Sequence, residues 1–244
     1  AGLRDFALRT VDAVGGRVGA VKPQSAFFER HGSAGIAVLE ETLAALRDVG
    51  TLSVLDVKRG DIGSTMAGYA QAYLSDGAPL AADSITVSPY LGYGSLSPAL
   101  DLAEASGRGV FVLALTSNPE GAAVQHAVNG ERAVAAGVVE GVTASNATAS
   151  GEGRLGSVGL VVGATVGEAV SRLGIDLLRA NGPLLAPGIG AQGAGPAELE
   201  SVFGSARRHV LASTSRGVLK AGPSIEALRT AALAATHEAA AALR

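Results

Sequence analysis

The chain has 244 residues, and 22 acidic against 19 basic residues give it a net charge of −3. This balance argues against a broad basic surface for nucleic acid, and the lack of cysteine excludes disulfides and thiolate chemistry. No apolar run is long enough to span a membrane and no signal-peptide pattern opens the chain, so we expect a soluble cytoplasmic protein without nucleic-acid or membrane partners.

Short β-branched apolar segments alternate along the chain with Ala- and Leu-rich segments of helical periodicity. The predicted strands are residues 17–22, 51–57, 84–88, 109–116, 157–163, 183–187 and 210–213. The predicted helices are residues 3–14, 34–48, 64–74, 97–106, 131–147, 166–173, 197–203 and 224–243. Such alternation, with strands that are apolar almost throughout, predicts an α/β fold with a parallel sheet buried on both faces.

The seven predicted strands are one fewer than the eight of a (β/α)8 TIM barrel, a fold to which the chain length is suited. The chain opens with a helix, so the first strand is apparently absent from this chain and would precede residue 1. We therefore predict one (β/α)-barrel domain over residues 1–244. The polar stretch 145–154 is predicted to be a loop. Residues 125–131, 145–154 and 192–196 are candidate lid segments, and the last is preferred.

Charged residues follow the predicted strands at the barrel end where active sites of this fold lie. Asp56 and Lys58 end one strand and share a face by alternation, with Asp61 a short turn later. Lys22 ends the preceding strand. These charges form either a catalytic cluster or a structural ion pair, and spacing alone does not decide between them. Only Lys22, Lys58 and Lys220 are lysines, which favours chemistry because lysine, unlike arginine, readily changes its protonation when buried.

A glycine-rich segment follows the sixth predicted strand. Gly188, Gly190 and Gly193 match G-x-G-x-x-G, but no acidic residue follows about 20 positions later, as a dinucleotide site would need. A phosphate site fits better, because the loops after the last strands of such barrels often bind phosphate through backbone N–H groups. Arg216, after the final strand, would add a charged contact. The alternative is a glycine-rich turn beside a surface arginine.

The segment 56–65, Asp-Val-Lys-Arg-Gly-Asp-Ile-Gly-Ser-Thr, resembles the signature of the orotidine 5′-phosphate decarboxylase family. Segments 21–29, 86–92, 116–121 and 186–193 resemble its type 2 subfamily, found in actinobacteria. The resemblance covers essentially the whole chain. It implies a homodimeric (β/α)8 barrel that converts orotidine 5′-monophosphate to uridine 5′-monophosphate, the last step of de novo pyrimidine biosynthesis, without metal or organic cofactor.

The resemblance also implies individual roles. Lys22, Asp56, Lys58 and Asp61 would form a network of alternating charge, in which Lys58 stabilises and protonates the C6 carbanion. Asp61 and Thr65 would reach into the active site of the partner subunit. The remaining substrate-binding residues would be Ser117 at the pyrimidine edge, Pro187 and Gly190 in the glycine-rich loop, and Gln192 and Arg216 at the phosphate.

Other functions remain open. A keto-sugar phosphate decarboxylase of the same superfamily shares the Asp-x-Lys-x-x-Asp signature but depends on Mg²⁺, and a Schiff-base aldolase would use Lys58 as its nucleophile. A barrel that only binds nucleotide would need a damaged site. The chain departs from the family in one respect: an earlier strand ending in a Gly-Ile-Asp-Pro-like motif, whose Asp contacts the ribose, has no counterpart here.

Overall fold

The computed structural model describes residues 2–189 and 194–244. Its strands are β1 (Ala20–Val21), β2 (Leu52–Arg59), β3 (Ser84–Val87), β4 (Gly109–Leu115), β5 (Val128–Asn129), β6 (Arg132–Ala133), β7 (Val158–Val162), β8 (Leu184–Pro187) and β9 (Val210–Ser213). Strands β5 and β6 form an antiparallel hairpin. The other seven form one parallel sheet in the order β1-β2-β3-β4-β7-β8-β9, as strand–helix alternation predicts.

Helices cover the outside of this sheet. The α-helices are α1 (Gly2–Val14), α2 (Ala26–Glu29), α3 (Gly32–Asp48), α4 (Gly63–Leu74), α5 (Ser97–Ala105), α6 (Ala122–Gln125), α7 (Val134–Ser145), α8 (Ala147–Gly151), α9 (Ala169–Arg172), α10 (Pro196–Phe203), α11 (Arg216–Leu219) and α12 (Ile225–Ala242). Short 3₁₀ helices span Tyr93–Leu96, Pro119–Gly121 and Gly204–His209. Helix α1 packs against α3 and α12. No helix in the described part of the chain is long and apolar enough to cross a membrane.

Alternate strand residues form two apolar layers. On one face Val54, Phe111, Val161 and Leu185, from β2, β4, β7 and β8, make a buried cluster. On the other face the strands pack against the helices in the main core. Contacts between strands that are not neighbours require the sheet to curl, so the first cluster fills the inside of a barrel-like wall. It forms the floor beneath the strand ends.

The predicted elements differ from the observed ones mainly at their ends. Residues 131–147 were predicted as one helix, yet α7 begins at Val134 because residues 132–133 pair in the hairpin. Gly130 lies at the first turn position with φ 67°, which favours a two-residue hairpin turn. The prediction of a loop over 145–154 was wrong, since α8 lies there. Helix α9 and strand β1 are shorter than predicted.

The sheet has two edges, β1 and β9, which do not pair with each other. Every residue of β3 and β7 is buried, whereas β9 is half-buried along its whole length. Among the described residues no strand lies between β1 and β9. The strand that the sequence pattern predicted to precede α1 is not among the described strands.

Candidate active site

Asp56 is the centre of a charged cluster at the carboxyl end of β2. The ammonium of Lys22 donates a hydrogen bond to its Oδ2 at 2.8 Å, and the ammonium of Lys58 donates to its Oδ1 at 2.6 Å. Gln24 Nε2 donates to Oδ2 at 3.0 Å, and the Thr86 hydroxyl donates to Oδ1 at 2.7 Å. Each carboxylate oxygen therefore accepts two hydrogen bonds, one of them from a lysine.

Burial and the neighbouring cations act in opposite directions on Asp56. The residue is only 5% exposed, and this burial would raise its pKa. The charge and hydrogen bond of Lys22, with the hydrogen bonds from Lys58 and Thr86, more than offset burial, so the pKa of Asp56 lies below its ordinary value. Asp56 is thus an anion that holds two ammonium groups at fixed positions.

The backbone around Asp56 links β2 to the segment after β1. The Asp56 N–H donates to Pro23 O at 2.9 Å, and Ser25 N–H donates to Asp56 O at 3.2 Å. Strand β1 is short, but these two hydrogen bonds form a parallel bridge between Gln24 and Asp56. The pairing of β1 with β2 therefore continues as far as Gln24. It places Gln24 beside the Asp56 carboxylate.

Lys58 has a strained backbone. Its φ of 44° lies in the left-handed region, which residues other than glycine rarely adopt. The pairing of β2 with β3 shifts register between Leu55 and Arg59. Two hydrogen bonds hold this bulge: Lys58 N–H donates to Thr86 Oγ1 at 3.0 Å, and Ser88 N–H donates to Arg59 O at 2.7 Å. A strained residue held in this way commonly marks a functional site.

Gly60 allows the chain to leave the bulge close to β3. A Cβ atom at this position would lie 2.4 Å from Ser88 O, too close for any side chain. The glycine of the sequence signature therefore has a packing reason, because it lets the chain turn toward Asp61 while β2 stays against the end of β3.

Among the described residues, neither Asp61 nor Thr65 forms a hydrogen bond or ion pair with the Asp56 cluster of its own chain. Asp61 is half-buried, and its Oδ1 accepts a hydrogen bond from Ile62 N–H at 2.8 Å. Thr65 is exposed on the first turn of α4. Lys22, Asp56 and Lys58 are thus brought together within one chain, whereas the described contacts do not join Asp61 or Thr65 to this group.

The other predicted residues follow neighbouring strands. Ser117 is exposed after β4, and its backbone N lies 3.1 Å from the Cβ position of Gly163 at the end of β7. Pro187 ends β8, and its O accepts a hydrogen bond from Ala164 N–H at 3.0 Å. Arg216 is exposed at the start of α11, after β9. Gly190 and Gln192 lie outside the described residues, as do the first two residues of the preferred lid segment, 192–196.

Two members of the site were missed in the sequence. Thr86 and Gln24 both bind Asp56. Thr86 carried a signal, because it is a polar residue in an otherwise apolar strand and is 1% exposed, so it needs a hydrogen-bond partner. Gln24 had a weaker signal, its place two residues beyond Lys22 near the end of a predicted strand.

Two other kinds of site, a metal centre and a cavity outside the sheet, bear on where a ligand could bind. No group of three or more His, Cys, Asp or Glu residues in the described ranges could hold a metal ion. A cavity of 640 Å³ lies between α5 and the α7–α8 region, lined by residues such as Tyr93, Asp101, Asn146 and Arg154. None of the residues that line it belongs to the charged cluster at the strand ends.

A curled parallel sheet with a lysine–aspartate–lysine cluster at its carboxyl end defines a (β/α)-barrel enzyme. The family model described as "Orotidine 5′-phosphate decarboxylase / HUMPS family" matches residues 3–231. The chain belongs to this family. The resemblance found in the sequence is thereby confirmed.

Curated relatives named orotidine 5′-phosphate decarboxylase match most of the chain. The protein of Streptomyces coelicolor is 60% identical over 234 residues, which cover 95% of this chain and 81% of that protein. The protein of Salinispora arenicola is 61% identical over 232 residues, with the same coverage of 95% and 81%.

Solved structures confirm the barrel class. A crystal structure from Streptomyces avermitilis matches with a TM-score of 0.93 at 58% identity, covering 99% of this chain and 83% of that one. The OMP decarboxylase of Leishmania donovani matches with a TM-score of 0.78 at 31% identity, covering 99% and 87%. The α/β TIM-barrel prediction is therefore correct, with seven of its parallel strands in the described residues.

Proposed function

We propose that this chain, acting as one barrel domain in the cytoplasm, decarboxylates orotidine 5′-monophosphate to uridine 5′-monophosphate, with Lys58 as the proton donor. The observation that carries the proposal is the Lys58 ammonium, held 2.6 Å from Asp56 Oδ1 on a strained backbone at the strand ends. Its side chain is 46% exposed, so a substrate above the strand ends can reach it.

The reaction breaks the bond between C6 of the pyrimidine and its carboxylate. Carbon dioxide leaves, and the electron pair stays on C6 as a vinyl carbanion that the ring barely delocalises. The Lys58 ammonium stabilises this charge electrostatically and then gives C6 a proton. Lys58 is left as a neutral amine, which takes up a proton from water before the next turnover. Fixed charge in a pocket that excludes water is commonly the largest contribution to such catalysis.

The arrangement of charges supports a homodimer with shared active sites. In the described part of one chain, Asp56 is the single carboxylate that pairs with both Lys22 and Lys58, so the cluster has an excess of positive charge. Asp61 of the partner subunit would supply the second carboxylate, and Thr65 of the partner subunit would lie beside it. Phe27, Ile62, Tyr90 and Leu91 are exposed apolar side chains near these strand ends, and such patches mark protein interfaces.

The rest of the substrate would lie along the neighbouring strand ends. Ser117 would contact the pyrimidine, and the loop from Pro187 through Gly190 and Gln192 would approach the phosphate together with Arg216. Binding of the phosphate, far from C6, would help to close the site around the ring and so lower the barrier.

We expect Arg216→Ala to act mainly on substrate binding. Arg216 is exposed at the start of α11, where its guanidinium can pair with a dianionic phosphate. Steady-state kinetics should show KM raised about 10- to 100-fold, in keeping with loss of a charged hydrogen bond, with a smaller change in kcat. An unchanged KM would remove Arg216 from the phosphate site. Arg229→Ala, on α12, is a control for loss of an arginine.

The first test of the function is the absorbance change of orotidine 5′-monophosphate with purified protein, with and without EDTA. We expect conversion to uridine 5′-monophosphate at the same rate in both. Loss of turnover with EDTA would instead favour the Mg²⁺-dependent keto-sugar phosphate decarboxylase. Trapping of substrate on Lys58 by borohydride would favour the Schiff-base aldolase.

A further inference from the structure

Arg59, the residue after Lys58, lies on the opposite side of β2 from the charged cluster. Its Nη2 donates to Glu29 Oε1 at 2.6 Å and to the Tyr73 hydroxyl at 3.3 Å. The guanidinium carbon also lies 5.5 Å from the ring centre of Tyr69 and 6.0 Å from that of Tyr73, within range of cation–π attraction. Arg59 therefore connects the end of β2 to both α2 and α4.

Both helices lead directly to the site. Helix α2 begins just after Gln24, whose amide binds Asp56. Glu29, at the end of α2, also accepts a hydrogen bond from the Ser25 hydroxyl at 2.6 Å. The hydrogen bond from Ser25 lowers the pKa of Glu29, burial raises it, and the hydrogen bond and charge of Arg59 lower it further. The pKa of Glu29 therefore lies below its ordinary value. Glu29 is thus an anion that ties the segment after β1 to Arg59.

The contacts of Arg59 are not those expected of a residue present for stability alone. Its Nε is buried and has no hydrogen-bond partner in the described structure, which is unfavourable. Partly buried ion pairs also tend to add little stability compared with an apolar residue of similar size. The Arg59 side chain fixes the position of the strand next to Lys58. The Arg59 carbonyl accepts a hydrogen bond from Ser88 N–H and so fixes the backbone.

We propose, resting on the proposed role of Lys58, that Arg59 is a positioning residue for that lysine, acting through its contacts with Glu29, Tyr69 and Tyr73. These contacts hold the end of β2 so that Lys58 keeps its left-handed conformation and its ammonium stays on Asp56. Small displacements of a reacting group are costly, because about 1 Å can change a rate 100-fold. Among the described residues Arg59 makes no hydrogen bond or ion pair with Asp56 or the Lys58 side chain, so it acts through the backbone.

The test compares Arg59→Met, Arg59→Lys, Glu29→Gln and the Arg59→Met/Glu29→Gln double variant with wild type. We expect Arg59→Met to lower kcat about 10- to 100-fold, while the Kd of uridine 5′-monophosphate changes less than about threefold, because the ligand-binding groups remain in place. Arg59→Lys keeps the charge but not the planar contacts, and should recover part of the loss. The double variant should be no slower than Arg59→Met, because both substitutions break the same contact between Arg59 and Glu29.

Arg207→Met is the matched control. Arg207 forms an ion pair with Glu200 at 2.6 Å, and its side chain is 28% exposed, the same distance and exposure as for Arg59 with Glu29. It lies just before β9, at the amino ends of the strands, whereas the charged cluster lies at their carboxyl ends. Melting temperatures of all variants separate loss of folding from loss of positioning.

The outcomes are distinct. If Arg59→Met loses no more kcat than Arg207→Met, or if kcat and product affinity fall together with stability, Arg59 is only structural and the inference is overturned. If Arg59→Met does not fold, Glu29→Gln and Arg59→Lys carry the same test. Turnover retained by Lys58→Ala would overturn the proposed role of Lys58 instead, whereas an inactive Lys58→Ala beside fully active Arg59 variants would overturn the positioning role alone.

Discussion

Lys58→Ala should lower kcat for orotidine 5′-monophosphate by about four orders of magnitude or more, because it removes both the proton donor and the positive charge beside C6. Binding of uridine 5′-monophosphate should change little, since the phosphate and pyrimidine contacts come from other strands. Single-turnover kinetics and titration with product measure the two effects separately. Folding should survive, because Asp56 keeps Lys22, Gln24 and Thr86 as partners.

Lys220→Ala is the control for this variant. Lys220 is exposed at the end of α11 and is the third of the three lysines in the chain, so its loss changes the net charge equally without altering the cluster. It should keep wild-type turnover. Substantial kcat in Lys58→Ala, with product binding intact, would show that another group donates the proton and would rule out the assignment of Lys58.

Mixing two inactive variants, Lys58→Ala and Asp61→Ala, should restore activity. In a mixed dimer one site combines Lys58 of one subunit with Asp61 of the other and is intact, whereas the second site lacks both. With random pairing at equal amounts, half of the dimers are mixed and each has one good site, which gives roughly a quarter of wild-type activity for a two-fold symmetric dimer. The assay is turnover before and after co-refolding of the purified variants.

The control for mixing is Lys58→Ala with Asp56→Ala. Asp56 binds Lys58 in its own chain, so no pairing of these subunits builds a complete site and activity should stay absent. If the Lys58→Ala and Asp61→Ala mixture also stays inactive while mixed dimers are present, Asp61 serves its own subunit. The shared-site proposal would then be wrong.

The order of strands and helices could be predicted because each strand is apolar almost throughout and each longer helix has its own periodicity. Alternation also placed Asp56 and Lys58 on one face, as their hydrogen bond requires. Parallel strands place their carboxyl ends together, so the nearness of Lys22 followed from strand order. These features depend on short stretches of sequence or on a general rule of the fold.

Other features depend on contacts between residues far apart in sequence. Thr86 and Gln24 reach Asp56 from 30 and 32 positions away, and no periodicity reveals which polar side chain will meet which carboxylate. The left-handed Lys58 results from the bulge between β2 and β3, which a strand pattern does not encode. Helix α8 was missed because its Ala-Thr-Ala-Ser-Gly sequence has weak helical preference and lies next to a glycine-rich stretch.

Because of the strained backbone at Lys58, selection for stability and selection for activity favour different residues at this position. A non-glycine residue held at φ 44° costs about 1–3 kcal/mol of stability, and glycine would remove that cost. A library of this chain selected only for resistance to heat would therefore accumulate glycine at position 58 and lose catalysis. Selection for pyrimidine prototrophy would keep the lysine and leave thermal improvement to positions elsewhere in the barrel.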